Sequence, residues 1–400
     1  MTLTAPVAFD PYDYSFQDEP YPIYTRLRDE DPLHHNEVHD FWVLSRHADV
    51  ESGLRDHATY SSAMGVSLDR SAWGPEAHKV MSFLAMDPPR HQRLRSLVSR
   101  GFTPRRLQEL APHIKAMTEA YYDSVLHGEL DFIADFAAKL PMDVISELMG
   151  VPVPDRDEIR RLADLVVHRE EGVPDVPKQG MAAALDLIAY YAAMVAERRT
   201  KRTDDLTSAL VDAEIDGDML DDEEIIAFLF LMVVAGNETT TKLLGNALFH
   251  LSASPPQREA VWGDPALVSP WIEETLRHDN SSQMVARHLT KEVSLHGKVA
   301  PAGAKLLLLL GSANRDERVF DRADEFDVFR SKEELARHVG FGAGRHFCLG
   351  AHLARLEARI ALDELVRRTR AVEVDSSSAV RVHSTNVRGF RSLKVRTFPR

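Results

Sequence analysis

The sequence predicts a mainly helical protein with a smaller β region, and three observations carry that prediction. Apolar residues recur with helical spacing through long stretches of the first two thirds of the chain. Short runs rich in Val and Leu, bounded by turn residues, gather in the last third. The Pro and Gly residues (21 and 20) are scattered, with no repeat, low-complexity tract or linker. The expected organisation is therefore a single domain over 1–400, with β-rich portions near 34–46, 290–311 and 371–398.

The elements follow in order. A short helix is expected over 20–30, entered through Pro20 and Pro22. His34–Val38 and Phe41–Ser45 flank a His39–Asp40 turn and read as a hairpin. Helical spacing then marks His91–Gly101, Pro104–Leu126, Asp131–Leu148, Asp155–Val167 and Met181–Thr200. The next helix announces its start: Asp221 can cap it, and Glu224, three residues on, can reach back. It should run over Asp222–Leu251. A helix at Ser269–His278 precedes strands at Val293–Leu295 and Lys305–Leu310. A long helix, Gly350–Thr369, leads to a closing hairpin of Val380–Ser384 with Ser392–Thr397 around Gly389.

Composition excludes several functions. With 44% hydrophobic residues the chain can bury a large core, and a net charge of −14 argues against nucleic acid or an anionic membrane as partner. The longest apolar run, Ile225–Gly236, is short against the ~20 residues a bilayer needs. Met1–Pro11 lacks signal-peptide architecture. The expected location is cytoplasmic, with no membrane attachment. The single cysteine, Cys348, has no internal disulfide partner and no zinc-type neighbours.

That cysteine lies in Phe341-Gly342-Ala343-Gly344-Arg345-His346-Phe347-Cys348-Leu349-Gly350, directly before a helix. A thiol at a helix N-terminus is expected to have its pKa lowered by the dipole and free amides. Gly342 and Gly344 permit positive φ and close backbone approach. The ten-residue string resembles the cytochrome P-450 signature, Phe-Gly-x-Gly-x-His/Arg-x-Cys-x-Gly, at every defined position. The resemblance implies the fold of that family, a triangular helical prism around a buried heme b. It also implies that Cys348 is the axial ligand of the heme iron, that Phe341 packs beside the sulfur, and that His346 lies near a propionate. A thiolate opposite bound oxygen promotes O–O cleavage.

The apolar run ends in Ala235-Gly236-Asn237-Glu238-Thr239-Thr240. An acid and hydroxyls in so apolar a helix need a reason, because buried charge is costly. Glycine within a helix leaves room for approach to its backbone, and Thr can bond a carbonyl one turn back and distort the helix. The segment is similar to the family's oxygen-binding motif. The implied catalytic pair is Thr239, which hydrogen-bonds dioxygen, and Glu238, which relays protons.

Glu274-Thr275-Leu276-Arg277 sets acid and guanidinium one turn apart. In the family this pair is buried and joined by an arginine before the cysteine loop, here Arg330, as a structural lock. Asp87-Pro88-Pro89-Arg90-His91 with Arg95 resembles the family's propionate-binding element, and Arg287 matches another propionate position. With His346 these make four cations for two carboxylates. Two departures are visible: Ser281 and Glu317 stand where relatives usually have Pro.

The same resemblance implies a mostly apolar pocket from Leu231, Val234, Ala235, Gln283, Met284, Val285, Asn386 and Val387, under a lid over 61–85 that includes Met81 and Phe83. Its implied substrate is a hydrophobic small molecule. Electrons would come from NAD(P)H through ferredoxin reductase and a ferredoxin, the latter docking on a basic patch of Arg90, Arg93, Arg100, Arg105, Arg106 and Arg345. The chain is expected to act as a monomer. Two other readings are a peroxide-driven peroxygenase and a non-catalytic heme sensor. The intact Glu238–Thr239 pair favours reductive use of O2 over both.

Overall fold

The centre of the molecule is one helix, Asp222–Ser252, most of whose residues are buried over Ile225–Val233 and Asn237–Leu248. Its start is the expected capping box: the Asp221 carboxylate accepts from the Glu224 amide at 2.8 Å, and the Glu224 side chain accepts from the Asp221 amide. The computed structural model describes residues 6–102 and 104–400, without the side chains of 100, 101 and 104–107.

Helices Pro104–Val125, Lys139–Met149, Arg156–Val167, Lys178–Thr200, Val268–His278 and Ala351–Arg368 surround the central helix and share its apolar core. Two helices, Lys178–Thr200 and Asp222–Ser252, are long and apolar enough to cross a membrane, but the second is the buried core helix itself. The mainly helical class with a smaller β region is what the periodicity predicts.

The main sheet has five strands in the order Leu33–Asn36, Phe41–Leu44, Lys305–Leu309, Met284–Leu289, Tyr60–Ser61. The hairpin expected near the N-terminus forms, with Asn36 opposite Phe41. Lys305–Leu309 bridges this hairpin, in parallel, to Met284–Leu289, in antiparallel. Side chains alternate across a strand. In Met284–Leu289 this sends Met284 and Ala286 into an N-terminal apolar cluster with Tyr24 and Leu307. Val285 and Arg287 therefore point the other way, towards the central cavity.

Three expectations are corrected. The closing hairpin pairs Val380–Arg381 with Phe390–Ser392, while Lys394–Pro399 joins Thr369–Val374 and Glu129–Asp131 in a second sheet. Local spacing showed two extended runs but not their partners, which lie far away in sequence. The helix expected over 131–148 is split: Asp131 ends a strand and its carboxylate accepts from the amides of Ile133 and Ala134, starting a wide turn over Ile133–Ala137 before the helix proper at Lys139. Helices His47–Arg55, Leu206–Val211 and Pro255–Gly263 were not anticipated.

The Glu274 lock is buried as expected. Arg277 grips Glu274 with two hydrogen bonds of 2.7 and 2.8 Å, both side chains fully buried, and Arg330 Nε approaches the same carboxylate at 3.2 Å. Arg277 also donates to the carbonyls of Asn314, Ala323 and Glu325. Glu317, in place of proline, accepts from the buried Arg28 at 3.1 Å and from Arg318.

Candidate active site

The cysteine loop is shaped by two left-handed glycines, Gly342 (φ 70°) and Gly344 (φ 66°). A Cβ at Gly344 would sit 2.9 Å from the Leu54 carbonyl oxygen, so conformation and space both require glycine. The fold-back lets the Cys348 amide donate to the Phe341 carbonyl at 2.9 Å. Cys348 Sγ opens onto a cavity of about 1460 Å³ of atom-free space, its mouth included, which Phe341, Leu353 and Thr239 also line. Arg355 lies over the Phe341 ring at 4.6 Å. It is held by Glu273 through hydrogen bonds of 2.6 and 2.8 Å, and His338 approaches the same acid at 3.2 Å.

The thiol departs from expectation in one respect. Burial raises its pKa above the ordinary value, against the opposing pull of the Gly350 and Ala351 amides and the Arg95 and Arg355 charges. The helix-terminus effect is present, but loss of solvent outweighs it. Coordination to a metal cation reverses that balance, since a ligating thiol is deprotonated outright.

Four basic residues meet at one side of the cavity. His91 and His346 have ring centroids 4.2 Å apart, and no nitrogen of either ring has a hydrogen-bond partner. Arg95 donates to the Phe347 carbonyl and leaves Nη1 unpartnered. Arg287, 4% exposed, donates to the carbonyl of its neighbour Ala286 at 2.8 Å. Burial pushes His91 down to about 4 and Arg287 to about 10; burial and the Arg287 charge push His346 to about 2. Asp87, the acid acting on both His91 and Arg287, is occupied by Ser61 and the Ser62 amide. Buried arginines without acid partners and buried imidazoles without hydrogen-bond partners are both costly, and an anionic ligand with two carboxylates would satisfy them. With a cysteine sulfur open to the same apolar space, the residues present fit a heme: Cys348 would hold the iron, and His91, Arg95, Arg287 and His346 the propionates.

On the central helix, Leu231, Ala235, Gly236, Thr239 and Thr240 line the cavity. Thr239 Oγ1 donates to the Ala235 carbonyl at 2.8 Å, the back-bond expected of a helical threonine. Ser281, standing in place of proline, donates to the Thr239 carbonyl at 2.7 Å. A Cβ on Gly236 would touch Ile145 at 3.5 Å, an ordinary contact, so packing alone does not demand glycine there.

Glu238 does not face the cavity. One residue turns the helix by about 100°, and its carboxylate is buried against Lys242 Nζ at 3.0 Å, each side chain 6% exposed. Of the expected substrate residues, Leu231, Ala235, Val285 and Phe83 line the cavity. Val234, Gln283, Met284, Asn386, Val387 and Met81 do not. Strand alternation explains Met284. The Gln283 side chain donates to the Asn280 carbonyl, Asn386 donates to Ser67, and Val387 bridges Ser282 in the backbone.

Three participants escaped the sequence: Lys242, Ser281 in its bonding role, and Glu357. Glu357 lines the cavity one turn after Leu353 and Ala354, with an unpartnered Oε2, and burial raises its pKa well above the ordinary value. The expected basic patch is smaller than its sequence. Arg93 is spent within the molecule on Asp218 and Glu224 (2.5 and 2.7 Å), while Arg90 and Arg345 are exposed. The side chains of Arg100, Arg105 and Arg106 lie outside the described residues.

Comparison with known proteins converges on one family. Residues 266–386 match the family model described as Cytochrome P450. The chain is 55% identical over 390 residues to the putative cytochrome P450 123 of Mycobacterium tuberculosis, covering 97% of this chain and 96% of that one. It is 36% identical to the vitamin D(3) 25-hydroxylase of Pseudonocardia autotrophica, covering 100% and 99%. The solved structure of cytochrome P450 CYP109Q5 from Chondromyces apiculatus superposes with a TM-score of 0.88 at 31% identity, covering 98% and 99%.

Proposed function

Because the chain belongs to the cytochrome P450 family of heme-thiolate monooxygenases, we propose that it inserts one oxygen atom of O2 into an apolar small molecule, by hydroxylation or epoxidation. Heme iron, when bound, supplies the activation of O2. This chain supplies the rest. Cys348 would hold the iron and tune it through its sulfur, Phe341 and the Arg355–Glu273 pair fix the loop that carries it, and His91, Arg95, Arg287 and His346 would hold the propionates.

The substrate face is set by Phe83, Leu231, Val285 and neighbours such as Val66 and Ile145. So apolar a lining selects for shape and water exclusion, with few polar handles. The relative named for vitamin D(3) supports an apolar substrate. Thr239 is the residue best placed to bond an oxygen in the cavity: its hydroxyl can leave the Ala235 carbonyl without unfolding the helix. Glu238 is its proton source, one residue away on the face turned from the cavity.

Electrons come from NAD(P)H through a reductase and a ferredoxin. The docking face lies around Arg345, beside the Cys348 loop, with Arg93 no longer a member. The enzyme works as a cytoplasmic monomer.

The observation that carries the reading is the convergence on one cavity of a lone cysteine sulfur, the Thr239 hydroxyl and basic side chains with unpartnered nitrogens. In its test, the reduced, carbon-monoxide-treated holoenzyme shows the thiolate-ligated Soret band, and Cys348→Ser abolishes both that band and NADPH-dependent product formation. An unaltered spectrum in C348S overturns it.

A further inference from the structure

We infer that Ser281 is a positioning residue for Thr239: its hydroxyl pins the turn of the central helix that carries the threonine, and so fixes where the Thr239 hydroxyl can reach in the cavity. This rests on Thr239 being the residue that bonds oxygen there, as proposed above.

A helical carbonyl ordinarily accepts only the amide four residues on. The Ala235 and Thr239 carbonyls, one turn apart, each also accept a side-chain hydroxyl: Thr239 Oγ1 at 2.8 Å and Ser281 Oγ at 2.7 Å. A hydroxyl that competes for a ladder carbonyl loosens and bends a helix locally. A turn loosened by the Thr239 back-bond alone has play, and the threonine swings with it. The serine bond comes from a different element and takes up that play. Proline, usual at this position in relatives, would lack the donor.

Such a tie is only as firm as the segment that carries it. Ser281 is 6% exposed, and its own carbonyl accepts from the Arg388 amide at 2.8 Å. On one side of it, the Gln283 amide donates to the Asn386 carbonyl at 2.9 Å. On the other, the fully buried Asp279 carboxylate accepts from Tyr21 (2.5 Å) and from Arg388 (2.8 Å). The segment is also tied to the central helix a second time. Asn246, about two turns beyond Thr239, donates to the Asp279 carbonyl at 2.8 Å. Asn246 and Ser281 thus brace the helix against one frame at two heights. The frame continues into Met284–Leu289, the strand that sends Val285 and Arg287 to the same cavity as Thr239. Ser281 therefore holds Thr239 in register with a substrate-facing side chain and a propionate anchor.

The test uses Ser281→Ala, which deletes the hydroxyl and little else, and Ser281→Thr, which keeps it. Both variants retain heme and the thiolate-ligated Soret band. In infrared spectra of the reduced, carbon-monoxide-treated holoenzyme, wild type and S281T give one narrow C–O stretching band, and S281A gives a broadened or split one. Dithionite-reduced S281A mixed with O2 returns to the oxidised spectrum about five-fold faster than wild type, the effect of one lost hydrogen bond, and S281T does not. Thr239→Ala shows the same acceleration. Adding Ser281→Ala to it changes nothing further, because residues that act as one unit are not additive. If T239A returns at the wild-type rate, the reading of Thr239 itself fails. If T239A accelerates the return while S281A leaves rate and infrared band unaltered, or if the two effects simply add, Ser281 does not position Thr239 and the threonine stands alone.

Discussion

Two buried clusters of charged and basic groups in this chain are built on opposite principles. Around Glu274, every strong donor is met: Arg277 and Arg330 share its carboxylate and spend their remaining N–H groups on backbone carbonyls. Around His346, the basic side chains face one another and an apolar space, with five ring and guanidinium nitrogens unpartnered. Both contain arginines buried to a similar degree, Arg277 at 0% and Arg287 at 4%. The difference teaches where a fold ends and a binding site begins. Satisfied charge specifies a unique packing, whereas unsatisfied charge is tolerated only where a ligand completes it.

The comparison breaks most sharply at Glu274. Replacing it with alanine strands two buried guanidiniums, and the expected loss is about 3–5 kcal/mol of stability, read by denaturant unfolding of the apoprotein. A smaller effect comes from Glu273, which belongs to the satisfied side. Burial alone would raise this acid, but hydrogen bonds from Arg355 and His338 prevail and hold it at about 2. Its contribution is therefore fully present above its ordinary value near 4.5 and is lost as pH falls towards 2. Linkage gives about 3 kcal/mol across that window, and Glu273→Gln should flatten the acid limb of the unfolding curve. Arg287→Met sharpens the contrast, because its two effects have opposite signs. The apoprotein should be as stable as wild type or more so, while heme is released faster, by the equivalent of about 1–3 kcal/mol. A variant that destabilised apoprotein and holoprotein equally would place Arg287 with the lock.

Much of this was open to inspection before any coordinates. The cysteine loop, the Glu274–Arg277–Arg330 lock, the His91–Arg95 pair and the capping box at Asp221 are each local strings, and local strings carry their own geometry. Legibility failed where a side chain's partner lay elsewhere. Arg93 looked like surface charge until Asp218 and Glu224 took it up. Met284 and Val285, adjacent in sequence, part company across a strand. Ser281 looked like a mere loss of proline, yet it ties the end of the preceding turn to Thr239, which lines the cavity.

The amino-acid order alone thus determined the chemistry available: a single sulfur at a helix mouth, a threonine in an apolar helix, and a set of basic residues spaced to gather. Tertiary structure decided which way each group points and what it meets. It turned Glu238 from the cavity towards Lys242, and it left the basic groups around His346 without partners. It also let burial outweigh the helix dipole at Cys348. The physical reason is that dihedral preference and periodicity act between near neighbours, whereas solvation and charge pairing depend on everything within a few ångströms, whatever its distance along the chain.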